Sequence, residues 1–219
     1  MENLEPIADH IRKEFDTLTA TRDQALAQAR MLTRHCSHAI RAIHRQERDK
    51  ANQELTAARE LADALRSGLK DFPGLYFTGY AQDALKEYAE ANLLVVLLDN
   101  GKIPTPEDLG LEVSTYLNGL AETVGELRRR CLDILRCGHS NEAERLLQCM
   151  DEIFTVLVTM DYPDAVTHGL RRQTDICRSI IERTRGDITL SLRQERLEKT
   201  IREAREEMGG TTNADNKSV

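Results

Sequence analysis

Two pairs of glutamates are the residues whose types and spacing suggest chemistry in this sequence. Glu87 and Glu90 are three residues apart, so they project from one face if their segment is helical. Glu122 and Glu126, four residues apart, do the same on a later segment. Carboxylates gathered beside an apolar core repel one another and lose water, which raises their pKa unless a positive charge joins them. A hard divalent cation with oxygen ligands is the simplest partner.

The surroundings of the first pair favour this interpretation. Residues 93–98 are all Leu or Val, and so apolar a run must be largely buried, which places the acids before it at the edge of a core. Asp83 precedes Glu87 by one turn and could join the cluster or be a surface acid. A di-iron bundle site needs Glu-x-x-His on two helices. No His follows any candidate glutamate at that spacing, so the sequence excludes a di-iron site.

A run of basic residues near the N-terminus is a second candidate site. The residues recur at spacings of four, three, four and three, as one helix face requires: Arg34, His38, Arg41, Arg45 and Arg48. His44 lies nearby, and the run contains almost no acid before Glu47. Two interpretations stay open at this point, namely an ordinary solvated helix face and a surface that contacts phosphates.

Composition limits the class of protein. The 219 residues include no Trp and only five Pro, while Leu, Ala, Glu and Arg are abundant, which is typical of helical proteins. No apolar run is long enough to span a membrane, and the acidic N-terminus lacks a signal-peptide core. Five scattered cysteines, without a CxxC pair, indicate reduced thiols and no zinc site. We therefore expect a cytoplasmic protein without a membrane segment.

Hydrophobic periodicity predicts a single all-α bundle of six or seven helices. The first is predicted from Leu4 to Asp49, with a possible bend or break at residues 17–21. The others are predicted at about 50–69, 75–99, 113–137, 140–158 and 163–207. Residues 1–208 form one predicted domain, and the polar residues 209–219 form a predicted disordered tail.

Three segments carry a family resemblance. Residues 87–91 read Glu-Tyr-Ala-Glu-Ala, residues 116–129 run from Tyr116 through Glu122 and Glu126 to Arg129, and residues 170–175 match more loosely. Together, in this order and at these separations, they resemble the translin family, and within it the translin-associated factor X branch. The order of helices is also similar from about residue 10 to 200.

The resemblance implies a translin-like fold and a metal-dependent endoribonuclease that uses Mg²⁺ or Mn²⁺. It assigns catalysis and metal binding to four acids, namely Glu87, Glu90, Glu122 and Glu126. Glu122 stands where the active branch has aspartate, and the glutamate keeps the charge but has a longer side chain. The implied substrate is single-stranded RNA, or single-stranded parts of duplexes, held inside a homo-octameric shell. Arg129 matches a basic position, and with the basic run it is the predicted nucleic-acid contact.

Two other functions compete with a nuclease. The first is a translin-like oligomer that binds single-stranded DNA or RNA without cleaving it, and the second is a helical interaction protein whose glutamates are surface acids. The presence of all four acids favours the nuclease, because a protein that only binds nucleic acid does not need them. The few aromatic residues predict little base stacking and therefore little sequence specificity.

Overall fold

The computed structural model describes residues 4–138 and 140–211, and within these ranges it contains helices and turns but no strand. Six helices are long: α1 (Leu4–His44), α2 (Arg48–Leu69), α4 (Gly79–Leu98), α6 (Val113–Leu135), α7 (Ser140–Val158) and α9 (Leu170–Thr211). Three single turns lie between them: α3 (Pro73–Tyr76), α5 (Pro106–Leu109) and α8 (Asp164–Thr167). The predicted all-α architecture is confirmed.

The first predicted helix ends earlier than the sequence suggests. Gln46 has φ of 61°, a left-handed conformation that stops α1 at His44 and reverses the chain into α2. Arg48 is therefore the first residue of α2 and does not continue the basic face of α1. At residues 17–21, by contrast, α1 is unbroken, and the Thr17 hydroxyl donates to the Lys13 carbonyl within the helix.

The last predicted helix is divided in two. His168 and Gly169 both have positive φ, 51° and 86°, so the chain makes the single turn α8, bends, and begins α9 at Leu170. α9 runs to Thr211, which includes residues 209–211 of the predicted tail. Residues 212–219 of that tail lie outside the described part of the chain.

The central helices α4 and α6 approach each other closely. α4 packs between α1 and α6, and the face that it buries includes the small residues Ala81, Ala84 and Ala89. At Gly119 of α6, a Cβ atom would lie 2.6 Å from the Ala89 Cβ and 2.9 Å from the Lys86 carbonyl oxygen. Only glycine permits this contact, because no side chain fits at such distances. The contact brings the acidic segments of the two helices together.

Two of the long helices extend past the bundle. The first buried residue of α1 is Ala25, and the last buried residue described in α9 is Ile188. The free half of α1 carries an exposed apolar row at helical spacing, which we call the α1 stripe: Leu4, Ile7, Ile11, Phe15 and Leu18. α9 carries a similar exposed row: Leu190, Leu197 and Ile201. Among the described residues, no helix combines the length and apolarity needed to cross a membrane.

Candidate metal centre

Three of the four predicted acids converge between α4 and α6. One carboxylate oxygen from each of Glu87, Glu90 and Glu122 lies within 4.8 Å of the other two. Ligand oxygens on opposite sides of a divalent cation are separated by about 4–5 Å, twice a typical metal–oxygen distance. The three acids therefore fit a divalent cation with oxygen ligands, and we call them the acidic triad.

Electrostatics also favours a cation in the triad. Burial, followed by the negative charges of Glu87 and Glu122, raises the pKa of Glu90 to about 8. Burial and the charge of Glu122 likewise raise the pKa of Glu87. Glu90 is only 8% exposed, so water screens its charge poorly. A bound cation would stabilise the ionised forms, which the protein alone disfavours.

Two side chains that the sequence analysis did not select bind Glu122. The Lys86 Nζ lies 2.7 Å from Glu122 Oε1, and the Gln173 Nε2 donates to the same oxygen at 3.3 Å. Burial opposes the charge of Lys86, but the hydrogen bond and charge of Glu122 outweigh it and raise the lysine pKa. Lys86 thus supplies one positive charge to the edge of the triad.

The fourth predicted acid, Glu126, has a different partner. Its Oε2 lies 2.5 Å from Nε2 of His44, whose side chain is only 4% exposed, and 3.6 Å from Arg129 Nη1. The hydrogen bond from His44 lowers the pKa of Glu126, although burial opposes this. Glu126 lies near enough for its charge to raise the pKa of Glu90, yet it is outside the converging group. Asp83 is also outside that group, and it is exposed, 3.9 Å from Lys86.

The predicted nucleic-acid contacts have different surroundings. Arg34, Arg41 and Arg45 are exposed, and none has a carboxylate partner within the described ranges. His38 instead faces α2, where its Nδ1 lies 3.5 Å from Glu54, an acid that His35 also binds. Arg48 is ion-paired with Asp99. The open basic surface therefore contains fewer residues than the sequence pattern predicts. We call its three arginines, Arg34, Arg41 and Arg45, the α1 basic face.

A cleft of about 860 Å³ opens beside the acidic triad. Lys86 and Gln173 line it, and both side chains also contact Glu122. The cleft and the triad are therefore adjacent, and a ligand in the cleft would lie next to the acids.

Comparison with known proteins identifies relatives of this chain. No family model matches the sequence. An uncharacterised protein of Methanocaldococcus jannaschii is 32% identical over 185 residues, which cover 84% of this chain and 82% of that protein. The likeness thus extends over most of both chains.

Solved structures give the same fold. AfC3PO in complex with duplex RNA matches with a TM-score of 0.77 at 31% identity, over 84% of this chain and 95% of that one. A second AfC3PO structure matches with a TM-score of 0.78 at 32% identity, over 84% and 96%. Apo-NeC3PO also has a TM-score of 0.78, over 85% and 97%, but at 22% identity it supports the fold alone. With this fold, and with relatives above 30% identity over most of its length, the chain belongs to the translin family.

Proposed function

We propose that this protein is a metal-dependent endoribonuclease of the translin-associated factor X type, acting on single-stranded RNA or on single-stranded parts of duplexes. The observation that carries the proposal is the convergence of Glu87, Glu90 and Glu122 within 4.8 Å. The resemblance assigns the same acids to metal binding. AfC3PO, about one third identical, has been solved with duplex RNA, which supports RNA as the ligand class.

In this mechanism the acidic triad holds Mg²⁺ or Mn²⁺, which would activate a water molecule and stabilise charge on the phosphodiester. The protein contributes position and charge. Glu87 and Glu90 are fixed by α4 and Glu122 by α6, so the Gly119 contact sets the separation of the oxygens. Glu126, kept ionised by His44, adds negative charge beside the triad and so strengthens cation binding.

The α1 basic face would bind the RNA backbone. Arg34, Arg41 and Arg45 are exposed cations without carboxylate partners in the described ranges, as phosphate contacts require. Arg129 is about half exposed beside Glu126 and would bind phosphate close to the acids. Affinity should therefore fall steeply as salt rises, with little dependence on sequence, and single-stranded DNA should also bind.

We further propose a homo-oligomer, with the octamer of the family as the expected size. The α1 stripe is the supporting observation, because Ile7, Ile11 and Phe15 are 45–63% exposed along one face of a helix that extends past the bundle. Such a face is stabilised when a second copy covers it.

One observation favours a nucleic-acid-binding oligomer without catalysis. The Lys86 ammonium already lies 2.7 Å from Glu122, where it compensates part of the negative charge that would otherwise attract a cation. If Lys86 keeps this position in the presence of Mg²⁺, the protein binds RNA but does not cleave it.

Cleavage of labelled single-stranded RNA tests the proposal. The wild-type protein should cut the RNA with Mg²⁺ and not with EDTA, and Glu90→Gln should be inactive while still binding RNA. Glu182→Gln is the matched control, because Glu182 is an exposed helical glutamate away from the triad. Cleavage that persists both in EDTA and in Glu90→Gln would refute the assigned chemistry. Metal-independent binding without products would support the non-catalytic alternative.

A further inference from the structure

The cleft beside the acidic triad has a lining that the proposed chemistry does not explain. Its walls come from α4, α6 and the α8–α9 bend, and its volume of about 860 Å³ exceeds that of a single nucleotide. One end carries Lys86 and Gln173, which contact Glu122. The cleft is therefore adjacent to the position where the proposed chemistry would place a cleaved phosphate.

Apolar side chains are exposed around this cleft. Phe77 is 61% exposed, Val166 is 61% exposed and Ile176 is 42% exposed. The ring of Tyr76 packs edge-on against Phe77, with ring centroids 4.9 Å apart, so the Phe77 ring is supported from one side. An exposed flat ring beside aliphatic groups is a surface on which a nucleic-acid base can stack.

The charges of the cleft suit one phosphate rather than several. Arg172 is exposed there and has no carboxylate partner among the residues described. Lys86 adds a second positive charge at the triad end. Asp83 and Glu112 also line the cleft, and their negative charges disfavour further phosphates. A single nucleotide, with one neutral base and one phosphate, matches this distribution.

We propose that the cleft binds the base of one unpaired nucleotide next to the cleaved phosphate, with the base on Phe77 and its phosphate between Arg172 and Lys86. This inference rests on the proposed function and adds the residues that would select an unpaired nucleotide. A base that is paired within a blunt duplex cannot enter the cleft, because its faces and edge are occupied in the helix. RNA that exposes an unpaired nucleotide is therefore the preferred substrate.

The absence of tryptophan from the chain provides a direct test. Phe77→Trp places a single indole at the cleft, and stacking of a base on it quenches its fluorescence. Tyr162→Trp is the matched control, since Tyr162 is an aromatic residue of similar exposure, 64%, that lines a different cavity. Both variants are titrated in EDTA, where the proposed cleavage cannot occur, with a single-stranded oligoribonucleotide and with a blunt duplex of the same length. Fluorescence anisotropy of labelled RNA reports total binding in parallel.

We expect the single strand to quench Phe77→Trp and the duplex to bind without quenching it, while Tyr162→Trp responds to neither. Adding Arg172→Gln should raise the concentration of single strand needed for half-maximal quenching about tenfold. If anisotropy shows binding but Phe77→Trp is not quenched, or is quenched equally by the duplex, the cleft assignment is overturned and RNA binding stands. A Phe77→Trp protein that changes its assembly size would show instead that a protein partner covers the cleft, which also overturns the assignment. If the wild-type protein binds no RNA, the proposed function fails as well.

Discussion

Four glutamates on the same two helices divide into two unlike arrangements. In the acidic triad, burial and mutual repulsion raise the pKa values of Glu87 and Glu90. At Glu126, one turn beyond Glu122, a histidine from a third helix lowers the pKa instead. Helical spacing brings acids to one face of a helix, whereas the residues that a neighbouring helix supplies determine whether those acids need an added cation.

Metal affinity should separate the two arrangements most strongly. Glu87→Gln and Glu122→Gln each remove a converging oxygen and should weaken Mn²⁺ binding by more than about 100-fold, while Glu126→Gln should weaken it only about tenfold, as an outer residue does. Calorimetric titration of the purified protein measures both effects. An equal loss in all three variants would place Glu126 among the direct ligands and remove the distinction.

In the metal-free protein, Glu90 and Glu126 should make the free energy of unfolding depend on pH in opposite ways. Because the pKa of Glu90 is raised, its contribution to folding stability is complete below pH of about 4.5 and is lost as pH rises through about 8. The pKa of Glu126 is lowered, so its contribution to folding stability is lost as pH falls through that lowered pKa. At pH 8, Glu90→Gln should therefore be more stable than wild type by about 4 kcal/mol, and this difference should shrink toward pH 5. Urea unfolding at fixed protein concentration measures it. A Glu90→Gln protein that is no more stable at pH 8 would contradict the prediction.

The separation of the triad oxygens should depend on Gly119. A Cβ at this position meets Ala89 at 2.6 Å, so Gly119→Ala should push α4 from α6, cost about 2 kcal/mol and weaken metal binding. Gly125→Ala is the matched control on the same helix, because its Cβ would meet nothing within 4 Å and should stabilise the helix by about 0.5–1 kcal/mol. Thermal unfolding compares the stability of the two variants. Similar effects of the two substitutions would show that the close contact between α4 and α6 does not determine the geometry of the acidic triad.

The smallest effect is expected from the histidine itself. His44→Gln replaces a buried hydrogen-bond partner of Glu126 and should cost about 1 kcal/mol, with a rise in the pKa of Glu126. His10→Gln, at an exposed position within α1, should leave stability unchanged. Urea unfolding compares the two variants, and NMR titration of the Glu126 carboxyl follows its pKa. An unchanged pKa of Glu126 in His44→Gln would mean that other groups keep this carboxylate ionised.

The sequence predicts the all-α bundle and the pairing of acids on each helix face, because both depend on local spacing. The meeting of Glu87 and Glu90 with Glu122 is expected only through the resemblance, which also includes Glu126, and Glu126 lies outside the converging group. The His44–Glu126 contact joins residues 82 positions apart, so no local pattern contains it. Lys86 does not stand out in the sequence because a lysine beside a glutamate on a helix is common, and its contact with Glu122 depends on how closely α4 and α6 pack. The end of α1 depends on one left-handed residue, Gln46, which the basic pattern does not reveal.

The position of His44 as the last residue of α1 has a consequence for the proposed nuclease. Arg34 and His44 lie on one rigid helix, and a rise of about 15 Å separates them. His44 holds that helix to Glu126 beside the triad, so α1 would fix the distance between an RNA backbone bound at Arg34 and the acids. A strand held along α1 would then be cut at a constant offset from its anchored phosphates, whatever its bases.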